Sequence, residues 1–179
     1  MVRVFIAIDL PVAIRGELAK AQESLRGTRA RLTFVDPGII HITLKFLGEI
    51  EERRIPELVE AMRSVKFSPY ELSIRSVSAN NRYRPRVIWG VAEDAGKSAV
   101  LNSLIENALE PLGIEREERP FTPHATVARV REFHPSLSGR LEALREFPCG
   151  CCRIDRIKLK KSTLTPQGPV YEDIAEVRF

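Results

Sequence analysis

The sequence predicts an α+β fold in which helices and antiparallel strands are mixed. Stretches of alternating apolar residues, which are typical of strands, are interspersed with stretches of helical spacing, but without the strict strand–helix–strand rhythm of a doubly wound parallel sheet. The order strand–helix–strand–strand–helix–strand is followed by a similar order. No linker rich in Gly, Ser or Pro divides the 179 residues. We therefore expect residues 1–179 to form a single domain with two internal structural repeats.

The first half of the chain begins with a strand at residues 2–10, in which every second residue is apolar. Asp9 is the expected N-cap of the helix that follows, and Pro11 suits the first helical turn. Apolar residues at helical spacing continue to Leu25, and Gly27 is expected to end this helix. The later elements of this half are predicted to be strands at 31–35 and 39–47 and a helix at 51–65.

The second half has a similar mixture of elements. Its predicted strands are 67–78, 86–93 and 122–130, its predicted helices are 96–112 and 136–146, and strands fill residues 148–179. A polar turn around Asn80 and Asn81 separates the first two of these strands, and Gly113 ends the longer helix. A turn at residues 166–169 interrupts the last segment.

Composition and charge exclude several classes of protein. With 44% hydrophobic and 29% charged residues, the chain has the composition of a globular domain and not of a disordered or fibrous protein. No stretch approaches the roughly 18 apolar residues that a membrane span needs. Asp9 and Pro11 come too early for the apolar core of a signal peptide, so we expect a cytoplasmic protein. The net charge of +4 permits a phosphate-bearing partner without identifying one.

Three cysteines, Cys149, Cys151 and Cys152, lie within four residues of one another. An odd and clustered set is a poor disulfide framework, and no second pair of ligands stands at zinc spacing. We interpret these cysteines as ordinary buried thiols, and we expect the protein to use no metal and no cofactor.

The strongest chemical signal is a tetrapeptide of the form His-x-Thr-apolar that occurs twice, as HITL from His41 and as HATV from His124. The two copies use two of only three histidines and lie 83 residues apart, at matching places in the two halves. Strand alternation puts each histidine and its threonine, Thr43 or Thr126, on one face and the apolar residues on the other. Each half therefore offers an imidazole beside a hydroxyl.

If the two halves pair about a rough two-fold axis, both imidazoles and both hydroxyls line one cleft. A neutral imidazole there can take a proton from water while a protonated one gives a proton to a leaving oxygen. Threonine hydroxyls can donate to phosphate oxygens, where charge grows in the transition state. No carboxylate cluster adjoins the histidines, which argues against a two-metal hydrolase. A two-histidine metal site is the alternative, although threonine is a poor substitute for the missing ligands.

The sequence also resembles the two-histidine phosphoesterase superfamily, and within it the RNA 2′,3′-cyclic phosphodiesterase family, once called 2′-5′ RNA ligases. The resemblance extends nearly from end to end, in separated blocks that follow the family's order. These blocks are RVFIAIDLP at 3–11, HITLKFLGEI at 41–50, RPRVIWGV at 84–91, RPFTPHATVARV at 119–130 and KKSTLTPQGPVYEDI at 160–174.

The resemblance implies a bilobal α+β fold with two pseudo-symmetric lobes, whose antiparallel sheets face a central cleft and whose helices lie outside. It implies hydrolysis of the 2′,3′-cyclic phosphate at RNA ends, tRNA fragments among them, to a 2′-phosphate. The reverse reaction, which joins ends through a 2′-5′ linkage, is implied as well. We expect a monomer that binds RNA and no membrane.

Five residues match the family's functional positions. His41 matches the proton donor to the 3′-oxygen, and His124 matches the base that activates water. Thr43 and Thr126 match the phosphate-binding hydroxyls. Arg129 matches the arginine that closes the second motif, yet strict strand alternation turns it away from His124 unless a bulge intervenes. The residues alone do not say which histidine is the acid.

Several other residues have two interpretations each. Lys45 either adds charge to the cleft or is a solvated strand residue. Trp89 is expected to be core, and Tyr171 either borders the cleft or packs in the core. The turn at 82–86 either contacts RNA or is an ordinary polar loop, and its basic and aromatic residues are Arg82, Tyr83, Arg84 and Arg86.

Two other functions are compatible with the same residues. One is an RNA end-binding or tRNA-handling module whose catalysis is incidental, and two intact His-x-Thr motifs argue against it. The other is a cyclic phosphodiesterase that acts on a small nucleotide. The charge of +4 and the Arg-rich turn favour RNA over a small nucleotide.

Overall fold

Strands dominate the molecule, and helices cover one side of them. The computed structural model describes all of residues 1–179. The strands are β1 (Val2–Asp9), β2 (Arg31–Phe34), β3 (His41–Ile50), β4 (Tyr70–Ala79), β5 (Val87–Glu93), β6 (His124–Glu132), β7 (Gly150–Ile154), β8 (Arg156–Thr165) and β9 (Gly168–Arg178). The helices are α1 (Val12–Arg26), α2 (Ile55–Ser64), α3 (Lys97–Leu109) and α4 (Ser136–Ala143). None of these helices is long and apolar enough to cross a membrane.

The helices differ from the sequence prediction mainly at their ends. Asp9 is not an N-cap: it is the last residue of β1, and Pro11 occupies the position before α1. The predicted helices 51–65 and 96–112 each contain a short 3₁₀ segment, Glu52–Arg54 before α2 and Glu110–Leu112 after α3. Pro56 lies in the first turn of α2, and Pro111 lies within the second segment. A proline cannot donate the backbone hydrogen bond that a continuous α-helix requires.

The strands form one curved antiparallel sheet, and this confirms the predicted α+β class. Their order across the sheet is β7-β4-β5-β6-β3-β1-β8-β9, and β2 pairs with the free side of β6. Every pair is antiparallel, but β3 and β6 share only one residue pair, Ile42 with Ala125. This narrow junction divides the sheet into a first lobe with β1, β3, β8 and β9 and a second lobe with β2, β4, β5, β6 and β7.

The core lies between the sheet and the helices. Helices α2 and α3 pack against the first lobe, and α1 and α4 pack against the second. On β1, Val4, Ile6 and Ile8 are buried under this helical layer, as strand alternation requires. The opposite face of the sheet is free of helices, and it forms the concave surface that we call the cleft.

The chain passes repeatedly from one lobe to the other. Strand β1 belongs to the first lobe, but the next element, α1, packs on the second lobe against β6 and β7. In the same way, β5 belongs to the second lobe and the next element, α3, packs on β3 of the first. Each lobe is therefore built from segments of both halves of the sequence.

Candidate active site

The two His-x-Thr motifs meet at the junction of the lobes. His41 begins β3 and His124 begins β6, and the one pair between these strands joins Ile42 to Ala125. Both of these middle residues are fully buried. Because the strands are antiparallel, His41 lies on the side of Thr126 and His124 on the side of Thr43. Alternation then places all four polar side chains on the cleft face.

Backbone carbonyl groups fix the orientation of both imidazole rings. Nδ1 of His41 lies 2.8 Å from the carbonyl oxygen of Ile39, and Nδ1 of His124 lies 2.8 Å from that of Thr122. A carbonyl oxygen only accepts hydrogen bonds, so Nδ1 carries the proton in each ring. Nε2 is therefore the atom of each ring that is left to accept or donate a proton in the cleft.

Aromatic side chains enclose His41. The ring of Phe5 lies 5.0 Å from the imidazole between centroids, and Tyr171 meets the imidazole edge-on at 5.3 Å. Nε2 of His41 also lies 3.0 Å from Oγ1 of Thr43. Burial lowers the pKa of His41, and the positive charge of Lys160 lowers it further, against the opposing effects of the Ile39 carbonyl and Asp9. The free imidazole is therefore biased towards its neutral form.

His124 has a more open environment than His41. Its ring stacks obliquely on Trp89, with 4.4 Å between the centroids, and Nε2 has no partner within the protein. Trp89 lies opposite Thr126 across β5 and β6 and is half-buried. The expectation that Trp89 belongs to the core is therefore wrong, because the regular alternation of β5 buries Ile88 and Gly90 and leaves Trp89 on the cleft face beside the histidine.

Four charged residues form a closed network beside His41. Lys158 and Lys160 each pair with both Asp9 and Asp173, at distances of 2.5–2.9 Å. Burial opposes ionisation of the two carboxyls, but the hydrogen bonds from the lysines outweigh it and lower the pKa of Asp9 and Asp173. The network has no net charge, so Lys158 and Lys160 add little free positive charge to the cleft.

Each motif is followed by a β-bulge at its fourth residue. Thr43 lies opposite Ala7 and Lys45 opposite Ile6, so Leu44 is the extra residue in β3. In β6 the register shift between Ile88 and Trp89 makes Val127 the extra residue in the same way. A bulge leaves backbone groups without partners in the sheet and reverses which face the following side chains occupy.

At each bulge, a buried side-chain amide donates a hydrogen bond to the backbone carbonyl of the extra residue. Asn102 of α3 donates from Nδ2 to the carbonyl oxygen of Leu44 at 2.8 Å. Gln22 of α1 donates from Nε2 to the carbonyl oxygens of Val127 at 2.9 Å and Val35 at 2.7 Å. The sequence analysis missed both amides. Their signal is a polar residue within the apolar stripe of a helix, four residues after Leu18 in one case and three before Ile105 in the other.

The bulge in β3 decides the position of Lys45. Both interpretations made from the sequence are wrong, because Lys45 is only 2% exposed and points towards the helices and not towards the cleft or solvent. Its Nζ lies 2.9 Å from Oε1 of Glu106 and donates to the carbonyl oxygen of Glu115 at 2.7 Å. This buried pair ties β3 to α3 and to the segment that leads towards His124.

The bulge in β6 returns Arg129 to the cleft. Ala128 is buried and Arg129 is exposed, on the same face as His124. Burial raises the pKa of Tyr171, and Arg129 and Arg3 lie near enough for their charges to oppose that shift. Phe46 occupies the matching position in the first lobe and is 60% exposed, with its ring 6.1 Å from that of Phe5.

Other candidate groups lie outside this site. Nδ1 of His134, the third histidine, bonds to Ser136 at the start of α4. Cys149 is buried and Cys152 half-buried, and burial raises the pKa of both thiols to about 11. The interpretation as buried thiols is wrong for Cys151, which is exposed. No group of three His, Cys, Asp or Glu side chains is arranged to hold a metal ion.

The two copies of the motif also appear in comparisons with known proteins. A family model described as "LigT like Phosphoesterase" matches residues 8–89 and matches again at residues 91–171. The chain belongs to this family. Each matched range contains one His-x-Thr motif, so this LigT-like phosphoesterase carries the family pattern twice, as the resemblance predicts.

Individual relatives match the LigT-like chain along nearly its whole length. A protein of Methanocaldococcus jannaschii named RNA 2′,3′-cyclic phosphodiesterase is 36% identical, with 97% of this chain and 99% of the relative covered. A protein of the same name from Methanothermobacter thermautotrophicus is 33% identical, with 99% of each chain covered. The crystal structure of TT0787 of Thermus thermophilus has a TM-score of 0.81 at 28% identity, with 98% of this chain and 97% of that one covered. These comparisons confirm the predicted family and bilobal fold.

Proposed function

We propose that this phosphoesterase opens the 2′,3′-cyclic phosphate at the 3′ end of RNA to a 2′-phosphate. The observation that carries the proposal is the junction of β3 and β6, where two imidazoles and two hydroxyls lie on one face around the Ile42–Ala125 pair. Relatives that match the whole chain and are named RNA 2′,3′-cyclic phosphodiesterase support the choice of substrate.

In the proposed reaction, water attacks the phosphorus atom opposite the 3′-oxygen. Nε2 of His124, which has no partner in the protein, takes the proton of the attacking water. The bond from phosphorus to O3′ breaks, and Nε2 of His41 gives its proton to that oxygen. Each transfer is worth about 10²–10⁴-fold in rate. The assignment of His41 as acid and His124 as base follows the resemblance to the family.

The lowered pKa of His41 is compatible with an acid role once substrate is bound. Burial keeps the free ring neutral, but the negative charge of a phosphate beside Nε2 favours the imidazolium form. Thr43 and Thr126 are proposed to donate hydroxyl protons to the non-bridging oxygens, and Arg129 to pair with one of them. Phe46 and Trp89 offer aromatic faces near the phosphate site for the terminal base.

The same arrangement accommodates the reverse reaction. A 5′-hydroxyl group of a second RNA end can take the place of water, and the product then contains a 2′-5′ linkage. All four motif side chains come from one chain, so we propose that the enzyme acts as a monomer and that residues 1–179 work as one catalytic domain of two repeats.

The proposal is tested with RNA that ends in a 2′,3′-cyclic phosphate, supplied to the parent protein and to His41→Ala and His124→Ala. We expect the parent to form a 2′-phosphate, also in the presence of EDTA, and each variant to lose at least about 10²-fold in rate. His134→Ala is the matched control, because this third histidine lies outside both motifs. A 3′-phosphate product, or activity that EDTA abolishes and zinc restores, would contradict the proposed mechanism.

A cyclic phosphate on a small nucleotide is the second candidate substrate, because the four motif side chains are proposed to contact only the phosphate and its leaving oxygen. The charge distribution beyond the site favours RNA. A comparison of kcat/KM for adenosine 2′,3′-cyclic phosphate and for a cyclic-phosphate-ended oligonucleotide separates the two candidates.

A further inference from the structure

The two lobes carry very different charge on the cleft side. In the first lobe, Lys158 and Lys160 are neutralised by Asp9 and Asp173 at 2.5–2.9 Å, which leaves Arg3 of β1, near Tyr171, as an arginine without an ion pair. In the second lobe, Arg129 and Arg131 follow His124 along β6, and neither has a carboxylate within 4.0 Å. The first carboxylate further along this strand is Glu132, which pairs with Arg31 at 3.4 Å.

The loop between β4 and β5 extends this positive surface. Arg82, Arg84 and Arg86 are all exposed, none of them has an ion-pair partner, and Tyr83 between them is 81% exposed. Arg86 adjoins Val87, which lies opposite Arg129 in the sheet. The carbonyl oxygen of Arg86 also accepts a hydrogen bond from the backbone of Val130 at 2.9 Å. The end of the loop at Arg86 therefore lies beside Arg129, the arginine nearest to the phosphate site.

The backbone of this loop is held in place, although its basic side chains are free. Oδ1 of Asn81 accepts from the backbone of Tyr83 and Arg84, at 2.8 Å each. Oδ1 of Asn80 accepts from Arg86 at 2.9 Å and from Val87 at 3.0 Å. Pro85 is buried beneath the loop. A fixed backbone with outward cations binds a polyanion at a smaller ordering cost than a flexible tail does.

We infer that the RNA chain leading to the terminal phosphate leaves the cleft over the second lobe. On this path its phosphates meet Arg131, Arg82, Arg84 and Arg86, and one base stacks on Tyr83. We call these five residues the strand surface. The inference rests on the proposed function, since it takes the terminal phosphate to lie between His41 and His124. It names a substrate longer than a nucleotide and the direction in which that substrate lies.

The guanidinium group of Arg131 is held in a fixed orientation on this path. Its Nε donates to Oγ1 of Thr33 on the neighbouring strand at 3.0 Å, so the guanidinium group is oriented without being neutralised. The first lobe offers no equivalent arrangement beside His41, because Lys158 and Lys160 are both in the closed network with Asp9 and Asp173. Arg3 of β1 is exposed without an ion pair, but it is a single arginine and no arginine-rich loop extends it. An RNA strand that crossed the first lobe would have to break those pairs.

The test measures binding separately from turnover. The probe is a labelled oligonucleotide of about ten nucleotides that ends in a 2′-phosphate, and its Kd is measured over about 50–200 mM salt. In the triple variant Arg82→Gln, Arg84→Gln, Arg86→Gln, we expect the Kd to rise at least about tenfold and the salt slope to flatten by about 2, since each single-strand phosphate contact contributes about 0.7. Tyr83→Ala is expected to raise the Kd by about fivefold or more without changing the slope.

The matched control is Arg29→Gln, Lys97→Gln, Arg140→Gln, which removes the same charge from exposed positions without ion pairs on the helical side. Its Kd should stay within about twofold of that of the parent. Equal losses in both triple variants, or an unchanged Kd in the loop variant, would overturn the strand surface.

Turnover of adenosine 2′,3′-cyclic phosphate, which is too short to reach the loop, is measured in the same proteins. We expect equal kcat/KM in the parent and in the loop variant. A fall in the loop variant matching its loss of oligonucleotide binding would overturn the strand surface. A parent that binds the oligonucleotide through the loop but hydrolyses neither substrate would contradict the proposed function and leave the strand surface supported.

Discussion

The amide of Asn102 donates a 2.8 Å hydrogen bond to the carbonyl oxygen of Leu44, the extra residue of the bulge after the first His-x-Thr motif. Gln22 makes the same kind of contact to Val127 after the second motif. In both lobes a buried helix residue thus fixes the point at which the strand leaves regular alternation. The side chains beyond that point, Phe46 and Arg129, face the cleft only because the bulge persists.

Replacement of Asn102 or Gln22 by leucine should destabilise the protein. Asn102→Leu takes the amide donor from the carbonyl oxygen of Leu44, and Gln22→Leu takes it from that of Val35, whereas Val127 keeps the N–H of Val35 as a donor at 3.0 Å. A carbonyl group left without a donor costs about 1–3 kcal/mol of unfolding free energy. Asn102→Gln, which keeps the amide, should recover part of this loss. Urea unfolding of the three variants measures it. An unfolding free energy equal to that of the parent in Asn102→Leu would show that the amide does not stabilise the bulge.

A double-mutant cycle separates an effect of Gln22 on the position of Arg129 from an effect on the stability of the protein alone. If Gln22 acts through the bulge on Arg129, then Gln22→Leu and Arg129→Gln should have less than additive effects on kcat/KM, because the first change already displaces the arginine. Asn102→Leu combined with Arg129→Gln is the control, since this amide lies in the other lobe. Additive effects in both cycles would restrict Gln22 to a structural role.

The imidazole of His41 should titrate below the ordinary value of 6.5. Burial disfavours its charged form, and Lys160 adds repulsion, so the pKa is lowered. Lys160→Met removes that repulsion and should raise the pKa of His41. NMR titration of the ring protons checks both directions. A higher midpoint in the parent than in the variant would show that the lysine does not control this histidine.

The two threonines should respond differently to replacement by valine. Each change removes a hydroxyl from the phosphate site and should reduce kcat by about 10²–10³-fold. Only Thr43 lies within hydrogen-bond distance of its histidine, at 3.0 Å, so only Thr43→Val should also shift the titration of His41. Paired kinetics and NMR titration test this. A shift of the His41 pKa in Thr126→Val alone would reverse the expected roles.

Removing one partner of the buried pair Lys45 and Glu106 should lower the free energy of unfolding strongly, whereas replacing both partners should lower it only slightly. Lys45→Met leaves a buried carboxylate without its partner, and the expected loss is about 3–5 kcal/mol of unfolding free energy. The double change Lys45→Met, Glu106→Leu removes both charges and should recover most of that loss. Thermal and urea unfolding provide the measurement. A double variant less stable than Lys45→Met would indicate that the charge of Glu106 is satisfied by other groups.

The sequence alone was sufficient to predict the α+β class, the family and the two motifs, because strand alternation and a repeated tetrapeptide are local signals. It did not locate Lys45, because a bulge at Leu44 reverses the faces of the residues that follow it directly, and no local pattern indicates that bulge. A corresponding bulge in β6, at Val127, decides on which face Arg129 lies. Sequence alternation gave the wrong face for both residues for one physical reason.

Contacts between segments that are distant in the chain could not be predicted from the sequence either. Asp9 has the residue type of a helix cap, but two lysines about 150 positions later attract it as the last residue of a strand. Trp89 has the apolar character of a core residue, but it stacks on His124 from a neighbouring strand. In both cases the partner is chosen by the order of strands in the sheet, which local patterns do not encode.

The repeated passage of the chain between the lobes has a consequence for fragments of it. A cut in the exposed segment between Gly113 and Phe121 would leave one piece without β6 to β9 and another without β1 to β5. Neither piece would contain a whole lobe, so neither could fold as a half-enzyme with one histidine. A pair of single-repeat chains that adopted this fold would exchange helices, because α1 and α3 each pack on the lobe opposite to the strand that precedes them.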